Sequence, residues 1–287
     1  MRVYKIKPVF VACALLACSL SFTNAEATVV TKTYRKFDYA TNTPEDYTLS
    51  IDVASQSSPR IVLPPDDRVL CSRSEYDGIV GLSYGGAGFI VDDHVIATAA
   101  HCVGDGNGAL HPMEPTLYGD DGYPTGETLT VLEVHIPMDY IVNKNESNDF
   151  ALIYVEEDLS EHVHFSLSHA YTPTSSELSN VQVYTAGIPS EVGSVTDNDR
   201  IALSRGNLLS NQVNTIPNAL YYSMDTSPGN SGGPVYVVEK FLLGTEWYVY
   251  YSAIGVHSRI HSSTANCGPQ VNSEMMQFYL SNPNIGN

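Results

Sequence analysis

The chain alternates short apolar runs with turn-forming residues from about residue 79 onward. Gly88–Val91 and Val95–Thr98 flank the polar Asp92–His94, a pattern that predicts a β-hairpin. Phe150–Val155 is continuously apolar and predicts a buried strand. Further strands are predicted at 129–136, 181–187, 220–224, 234–238 and 247–256. Many short strands separated by turns favour an all-β fold, either a sandwich or barrels.

One segment near the C-terminus, Ser273–Leu280, predicts a helix. Ser273 is a suitable N-cap, and Met276 and Leu280 lie one turn apart, which predicts an apolar face. The polar stretch Asp158–Ser179 has no clear period, and we expect it to join two lobes.

The first 25 residues have the composition of a signal peptide. A basic start is followed by a short apolar core over Val9–Leu20 and by small residues that end at Ala25. The core is too short to predict a membrane span. The sequence therefore predicts a secreted, extracellular protein, with a lipobox-like site that would leave a lipid on Cys18 as the weaker alternative.

Residues 26–60 differ in character from the chain that follows. They are rich in Thr, Ser and Asp, contain neither Cys nor Gly, and end at Arg60, immediately before the apolar Ile61. A basic residue before a small hydrophobic N-terminus is typical of a pro-segment boundary. We therefore expect a zymogen cleaved after Arg60, with a plain linker as the alternative.

The composition narrows the classes of partner. The 287 residues are 43% hydrophobic and 16% charged, which is enough for one substantial core or for two lobes. From Ile61 onward, seven Lys and Arg stand against 27 Asp and Glu, a net charge of −20. Such a surface repels phosphate backbones, so nucleic-acid binding is not expected. We expect a monomer without stable membrane association.

Three cysteines lie beyond the signal peptide, namely Cys71, Cys102 and Cys267. In an oxidising compartment this number predicts one disulfide bond and one remaining thiol, with the pairing left open. The cysteines are not spaced like metal ligands, so neither a metal site nor a cofactor is predicted.

The candidate nucleophile is Ser231, which lies in the glycine-rich turn Asp225–Pro234. Gly229 and Gly232 permit backbone angles that other residues avoid, so the turn can present the serine side chain. The same turn can direct the amides of Gly229 and Ser231 at one point, as an oxyanion hole. An ordinary turn before a strand is the alternative for this segment alone.

Two other residues supply the chemistry that a nucleophilic serine requires. His101 follows a run of small residues, Ala97–Ala100, which allows close packing of the imidazole. Asp149 precedes the apolar strand Phe150–Val155, where a carboxylate needs a hydrogen-bond partner. An imidazole N–H would satisfy the carboxylate, which in turn would fix the histidine tautomer.

The segments TAAHC, NDFAL and GNSGGP, in the order His, Asp, Ser, resemble those of the trypsin-like (chymotrypsin-fold) serine proteases. The resemblance covers residues 61–287 and implies two six-stranded antiparallel β-barrels, at about 61–165 and 178–270, followed by the C-terminal helix. It implies His101 as general base, Asp149 as its orienting acid and Ser231 as nucleophile. Protein or peptide substrates would bind between the barrels.

Within that family the chain is similar to the bacterial glutamyl endopeptidases. The segments Ile61–Arg68 and Gly268–Asn272 follow their pattern. The resemblance implies that Thr226, His257 and the freed α-amino group of Ile61 bind the carboxylate of a substrate glutamate. Three departures stand out. Position 230 is Asn rather than Asp, and the usual partner of Cys102 in trypsin relatives is missing. The segment Ser258–Ile260 also differs from the pocket wall of the glutamyl enzymes, which leaves the pocket shape open.

Two other interpretations remain open. The first is trypsin-like specificity for Lys or Arg, because Asp225 corresponds to the aspartate that binds these side chains in trypsin. The second is a catalytically silent, protease-like binding protein, although all three catalytic residues are present. The sequence favours a serine endopeptidase that cleaves after Glu, with Asp a weaker substrate.

Overall fold

A computed structural model describes residues 28–53, 73–83, 85–105, 108–168, 181–188, 200–209, 216–226, 228–243, 246–262 and 264–281. The predicted signal peptide, the predicted cleavage site at Arg60–Ile61 and Cys71 lie outside the described residues.

The strands of the first half form one nine-stranded sheet with the order β2-β1-β8-β9-β5-β4-β3-β6-β7. Its strands are β1 (Thr28–Asp38), β2 (Thr43–Val53), β3 (Ile79–Gly81), β4 (Ala87–Asp92), β5 (Val95–Thr98), β6 (Thr116–Tyr118), β7 (Pro124–Thr128), β8 (Val131–Pro137) and β9 (Ala151–Val155). We call this sheet and its helices the first lobe.

The second half forms two smaller sheets, with the orders β10-β15-β14-β11-β12 and β13-β17-β16. Its strands are β10 (Phe165–Leu167), β11 (Gln182–Gly187), β12 (Ala202–Asn207), β13 (Ala219–Tyr222), β14 (Pro234–Leu243), β15 (Glu246–Val256), β16 (Arg259–Ser262) and β17 (Ala265–Pro269). These sheets make up the second lobe, and the all-β prediction is confirmed.

Helices are short in the described part of the chain. They are α1 (Ala100–Val103), α2 (Met138–Asn143) and α3 (Ser273–Leu280), with two 3-10 helices at Arg73–Gly78 and Glu146–Asn148. None of the helices in these ranges is long and apolar enough to cross a membrane.

The predicted hairpin and the predicted buried strand form the centre of the first lobe. Strands β4 and β5 pair antiparallel, and β5 also pairs with β9 from Val95↔Tyr154 to Thr98↔Ala151. Every residue of β5 and β9 is buried, as continuous apolar runs predict. Because the ends of β5 and β9 are paired, the residues that adjoin these ends are brought together.

Helix α3 has the predicted bounds, but two details of the prediction are wrong. The N-cap is Asn272 rather than Ser273, because the Asn272 side chain accepts a hydrogen bond from the amide of Met275. The buried face carries Met275 and Phe278, whereas Leu280 is half exposed. The first lobe determines which face of α3 is buried, and the spacing of apolar residues in the helix does not reveal this.

Strands β1 and β2 lie within the predicted pro-segment and are nevertheless part of the first sheet. They form a hairpin in register from Thr28↔Val53 to Asp38↔Thr43. Strand β1 also pairs with β8, and the side chains of Tyr34 and Phe37 are 0% and 1% exposed. The core of the first lobe therefore includes residues upstream of the predicted cleavage site.

Candidate active site

His101 and Asp149 come from the paired ends of β5 and β9. His101 lies in α1, directly after β5, and Asp149 follows a 3-10 helix just before β9. The imidazole Nδ1 is 2.8 Å from Asp149 Oδ2, and the His101 amide donates to Asp149 Oδ1 at 3.0 Å. The carboxylate thus fixes both the backbone and the ring of the histidine.

Asp149 is 4% exposed, and its carboxylate is ionised in this environment. Burial alone would raise its pKa, but hydrogen bonds from His101 and Ser258 and the charge of the imidazolium hold the pKa below its usual range. Burial lowers the pKa of His101, but the hydrogen bond and charge of Asp149 outweigh it, so the net shift is upward. The pair is therefore built to stabilise a protonated imidazole.

Ser231 lies in a turn that only glycine can make. Gly229 and Gly232 have φ of 97° and 85°, in the left-handed region. A Cβ at Gly232 would lie 2.1 Å from the carbonyl oxygen of Ala87 in β4. The Ala87 amide in turn donates to the Ser231 carbonyl at 2.7 Å, which joins the turn to the first lobe.

Ser258 connects the serine turn to the His–Asp pair, and the sequence analysis did not assign it a role. Its hydroxyl donates to Asp149 Oδ2, and its carbonyl oxygen accepts the Ser231 hydroxyl at 3.1 Å. A hydroxyl has one hydrogen, so Ser231 does not donate to His101 in this conformation. The signal for Ser258 was its position, next to His257 at the end of an apolar strand.

The two amides of the predicted oxyanion hole are available. Within the described part of the chain, neither the Gly229 nor the Ser231 amide donates a hydrogen bond. The turn is anchored by its other groups: the Gly229 carbonyl accepts from Ile188, and the Gly233 amide donates to Asn230. These amides can therefore receive an incoming oxygen.

His257 is packed behind the serine turn. Its backbone exchanges hydrogen bonds with the two glycines after Ser231, Gly232 and Gly233, each at 2.8 Å. The imidazole is 2% exposed, and its Nδ1 lies 2.7 Å from the hydroxyl of Tyr222. Burial, and then the charge of His101, lower the pKa of His257 to about 4, so the ring is neutral near pH 7.

The other predicted pocket residues differ in their surroundings. Thr226 is half-buried and Asp225 is exposed. Ile61 lies outside the described residues, so its predicted role stays a prediction.

Cys102 and Cys267 are both free and buried, so neither forms the predicted disulfide. Gly86 stands opposite Cys102, and a Cβ at Gly86 would lie 2.8 Å from the Cys102 sulfur. Within the described ranges, no group of three or more His, Cys, Asp or Glu side chains is placed to hold a metal ion.

Comparisons with known proteins agree with this geometry. A model of the trypsin-like peptidase domain matches residues 86–244, more than half of the chain. No curated protein gave a significant match. Many solved structures are similar in fold, and three of them illustrate the likeness. A Glu endopeptidase has 19% identity and a TM-score of 0.54, over 74% of this chain and 94% of its own.

The second, a thermostable serine protease from an extremophilic microorganism, has 17% identity over 74% of this chain and all of its own, with a TM-score of 0.54. The third is a mutant of human heparin binding protein. It has 14% identity over 76% of this chain and 97% of its own, also with a TM-score of 0.54. The chain therefore belongs to the trypsin-like peptidase family and has the fold of the chymotrypsin-like serine proteases.

Proposed function

We propose that this chain is a secreted serine endopeptidase that cleaves after Glu, with Asp a weaker substrate, and is made as a zymogen cleaved after Arg60. The observation that carries the catalytic part is the position of Asp149. This buried carboxylate holds His101 and is connected through Ser258 to the Ser231 hydroxyl. Such an arrangement suits a serine that is activated by a histidine.

The proposed reaction begins when the Ser231 hydroxyl turns from the Ser258 carbonyl towards His101 Nε2. His101 takes the proton while Ser231 Oγ attacks the substrate carbonyl carbon, and Asp149 stabilises the imidazolium. His101 then protonates the leaving amine, and the C–N bond breaks to give an acyl-enzyme. Water, deprotonated by His101, attacks the acyl carbon. The bond to Ser231 Oγ then breaks, His101 returns the proton to Oγ, and the carboxylic acid product leaves.

Negative charge develops on the substrate carbonyl oxygen in both steps. The amides of Gly229 and Ser231 are the donors that would receive it. Removal of one donor of this kind lowers kcat by about 10²–10³-fold.

The preference for Glu rests on His257 and Tyr222. Burial raises the pKa of the Tyr222 phenol, so its hydroxyl stays protonated and can donate to His257 Nδ1. The neutral ring then carries its hydrogen on Nε2, where it is a donor for a substrate carboxylate. The Thr226 hydroxyl and the α-amino group of Ile61 would be the further donors to this anion.

Two other functions give different expectations. A pocket for Lys or Arg would place Asp225 against the substrate cation. Asp225 is exposed, whereas the buried His257 ring, with Nδ1 next to the Tyr222 hydroxyl, can donate from Nε2 to an anion. A silent binding protein would not need the buried Asp149, because an unused carboxylate is costly to bury.

A cleavage-site profile on a mixed peptide library tests the proposal, with Ser231→Ala as the matched control. We expect cuts concentrated after Glu in the wild type and no cuts in the variant. Cuts after Lys or Arg would assign the pocket to Asp225. Absence of cuts by either protein would favour the binding protein.

The proposed processing is tested by N-terminal sequencing of the protein that a secreting host releases. We expect mature chains that begin at Ile61. Chains that begin at Glu26 in a fully active preparation would contradict cleavage after Arg60.

A further inference from the structure

The hairpin of β1 and β2, here called the N-terminal hairpin (residues 28–53), lies upstream of Arg60 but is paired with the first lobe. Strand β1 is in register with β8 from Tyr34↔Pro137 to Asp38↔Glu133. The Tyr39 amide extends the pairing and donates to the Leu132 carbonyl at 2.9 Å. The hairpin thus adds two strands to the sheet at the edge of β8, as peptides do in β-augmentation.

Two buried aromatic side chains secure the hairpin. Tyr34 stacks on Phe278 of α3 with a centroid distance of 4.4 Å. Phe37 belongs to the same core. Removal of the hairpin would expose one face of Phe278 and the apolar surface around Phe37 to water.

Polar contacts add to the apolar ones. The Tyr39 hydroxyl donates to the Met113 carbonyl at 2.9 Å, and the Tyr47 hydroxyl lies 2.9 Å from Nδ1 of His135. His135 is itself buried in β8. A buried imidazole without this hydroxyl would lose a hydrogen-bond partner, which makes release of the hairpin costly.

Two sets of contacts connect the hairpin to residues next to His101 and Asp149. Phe37 lines a small cavity with Ala100, the first residue of the helix that carries His101, and with Gly104, which caps the end of that helix. Lys32 pairs with Glu274 at 3.1 Å, and Glu274 accepts a hydrogen bond at 2.9 Å from Asn148, the residue before Asp149.

We propose that the N-terminal hairpin stays bound after cleavage, as a non-covalent part of the active enzyme that positions His101 and Asp149. The proposal rests on the processing after Arg60 proposed above. Val53 ends the hairpin seven residues before Arg60, so the cut breaks none of the contacts described. Cleavage would then free Ile61 without dismantling the first lobe.

Retention is tested by mass and is independent of activity. In the full-length Ser231→Ala variant, a recognition sequence for a site-specific protease is inserted after Ser57, and the purified protein is cut. Native mass spectrometry and size exclusion are expected to show the hairpin fragment bound to the remainder, with release only in denaturant. A fragment that separates without denaturant would overturn the proposal.

Variants of the cut protein measure what holds the fragment. Phe37→Ala is expected to weaken retention by about 100-fold or more, as loss of a core aromatic does. Phe37→Leu should restore most of the retention, and Thr48→Ala, at an exposed position of β2, should match the wild type. Equal retention of the fragment in Phe37→Ala, Phe37→Leu and Thr48→Ala would contradict the role of Phe37.

The positioning role is tested in the processed wild-type enzyme. Because the hairpin supports the catalytic pair from behind, Phe37→Ala should lower kcat by about 10-fold or more with a much smaller change in KM. Recovery of kcat in Phe37→Leu is expected. An unchanged kcat in a preparation that has lost the hairpin fragment would overturn the positioning role. An inactive enzyme that retains the fragment would instead refute the proposed function alone.

Discussion

The two halves of the candidate site are held in different ways. His101 and Asp149 adjoin the paired ends of β5 and β9, two strands whose residues are all buried, and are already hydrogen-bonded at 2.8 Å. Ser231 is held by a glycine turn, and its hydroxyl donates to Ser258 rather than to the histidine. The first half is fixed by core packing, whereas the second can be redirected by one side-chain rotation.

Ser231→Ala removes the reacting atom from the second half and should have the largest effect. We expect kcat to fall by about 10⁶-fold, as in other triads that lose their nucleophile. The thermal midpoint should stay close to that of the wild type, because the turn is held by backbone groups. Turnover above background in this variant would show that Ser231 is not the nucleophile.

Asp149→Asn tests the first half without removing its packing. We expect kcat to fall by about 10⁴-fold, because the amide stabilises neither the imidazolium nor the working tautomer. Asp149 raises the pKa of His101, so its loss should lower that pKa. The acid limb of the pH profile of kcat/KM, below which His101 is protonated and cannot act as a base, should therefore move to lower pH.

Ser258→Ala breaks the connection between the halves. The Asp149 carboxylate would lose a charge-assisted hydrogen bond, and such bonds contribute about 1.5–3 kcal/mol. We expect a decrease in kcat of about 10- to 100-fold. Ser262→Ala, at an exposed position of β16, is the matched control. A Ser258→Ala enzyme with the wild-type kcat would mean that Asp149 needs only His101.

Tyr222→Phe should give the smallest change, confined to specificity. Loss of the hydroxyl frees His257 Nδ1 and lets the ring adopt either tautomer. We expect kcat/KM to fall by about 10-fold for substrates with Glu at the cleavage site, in line with the loss of one hydrogen bond. For substrates with Gln at that site the decrease should be smaller. An equal loss on both would make Tyr222 a purely structural residue.

The motifs around His101, Asp149 and Ser231 were predictable from sequence because each is a short local pattern at a strand end or turn. Ser258 was not, because its role depends on how β15 approaches Asp149 in three dimensions. Strand β1 was also missed. Tyr34 and Phe37 lie on opposite faces of the strand, Tyr34 towards α3 and Phe37 towards α1. The charged residues between them interrupt the alternation of apolar and polar positions by which a strand is predicted.

The contact of Tyr34 with Phe278 joins the beginning of the described chain to its last helix. During synthesis the N-terminal strands emerge long before their partner exists. The first lobe therefore cannot close its core until nearly the whole polypeptide is available, and contacts this distant in sequence form slowly. A chain built in this way should remain incompletely folded while it is being made, which is the state that the secretion proposed above would require.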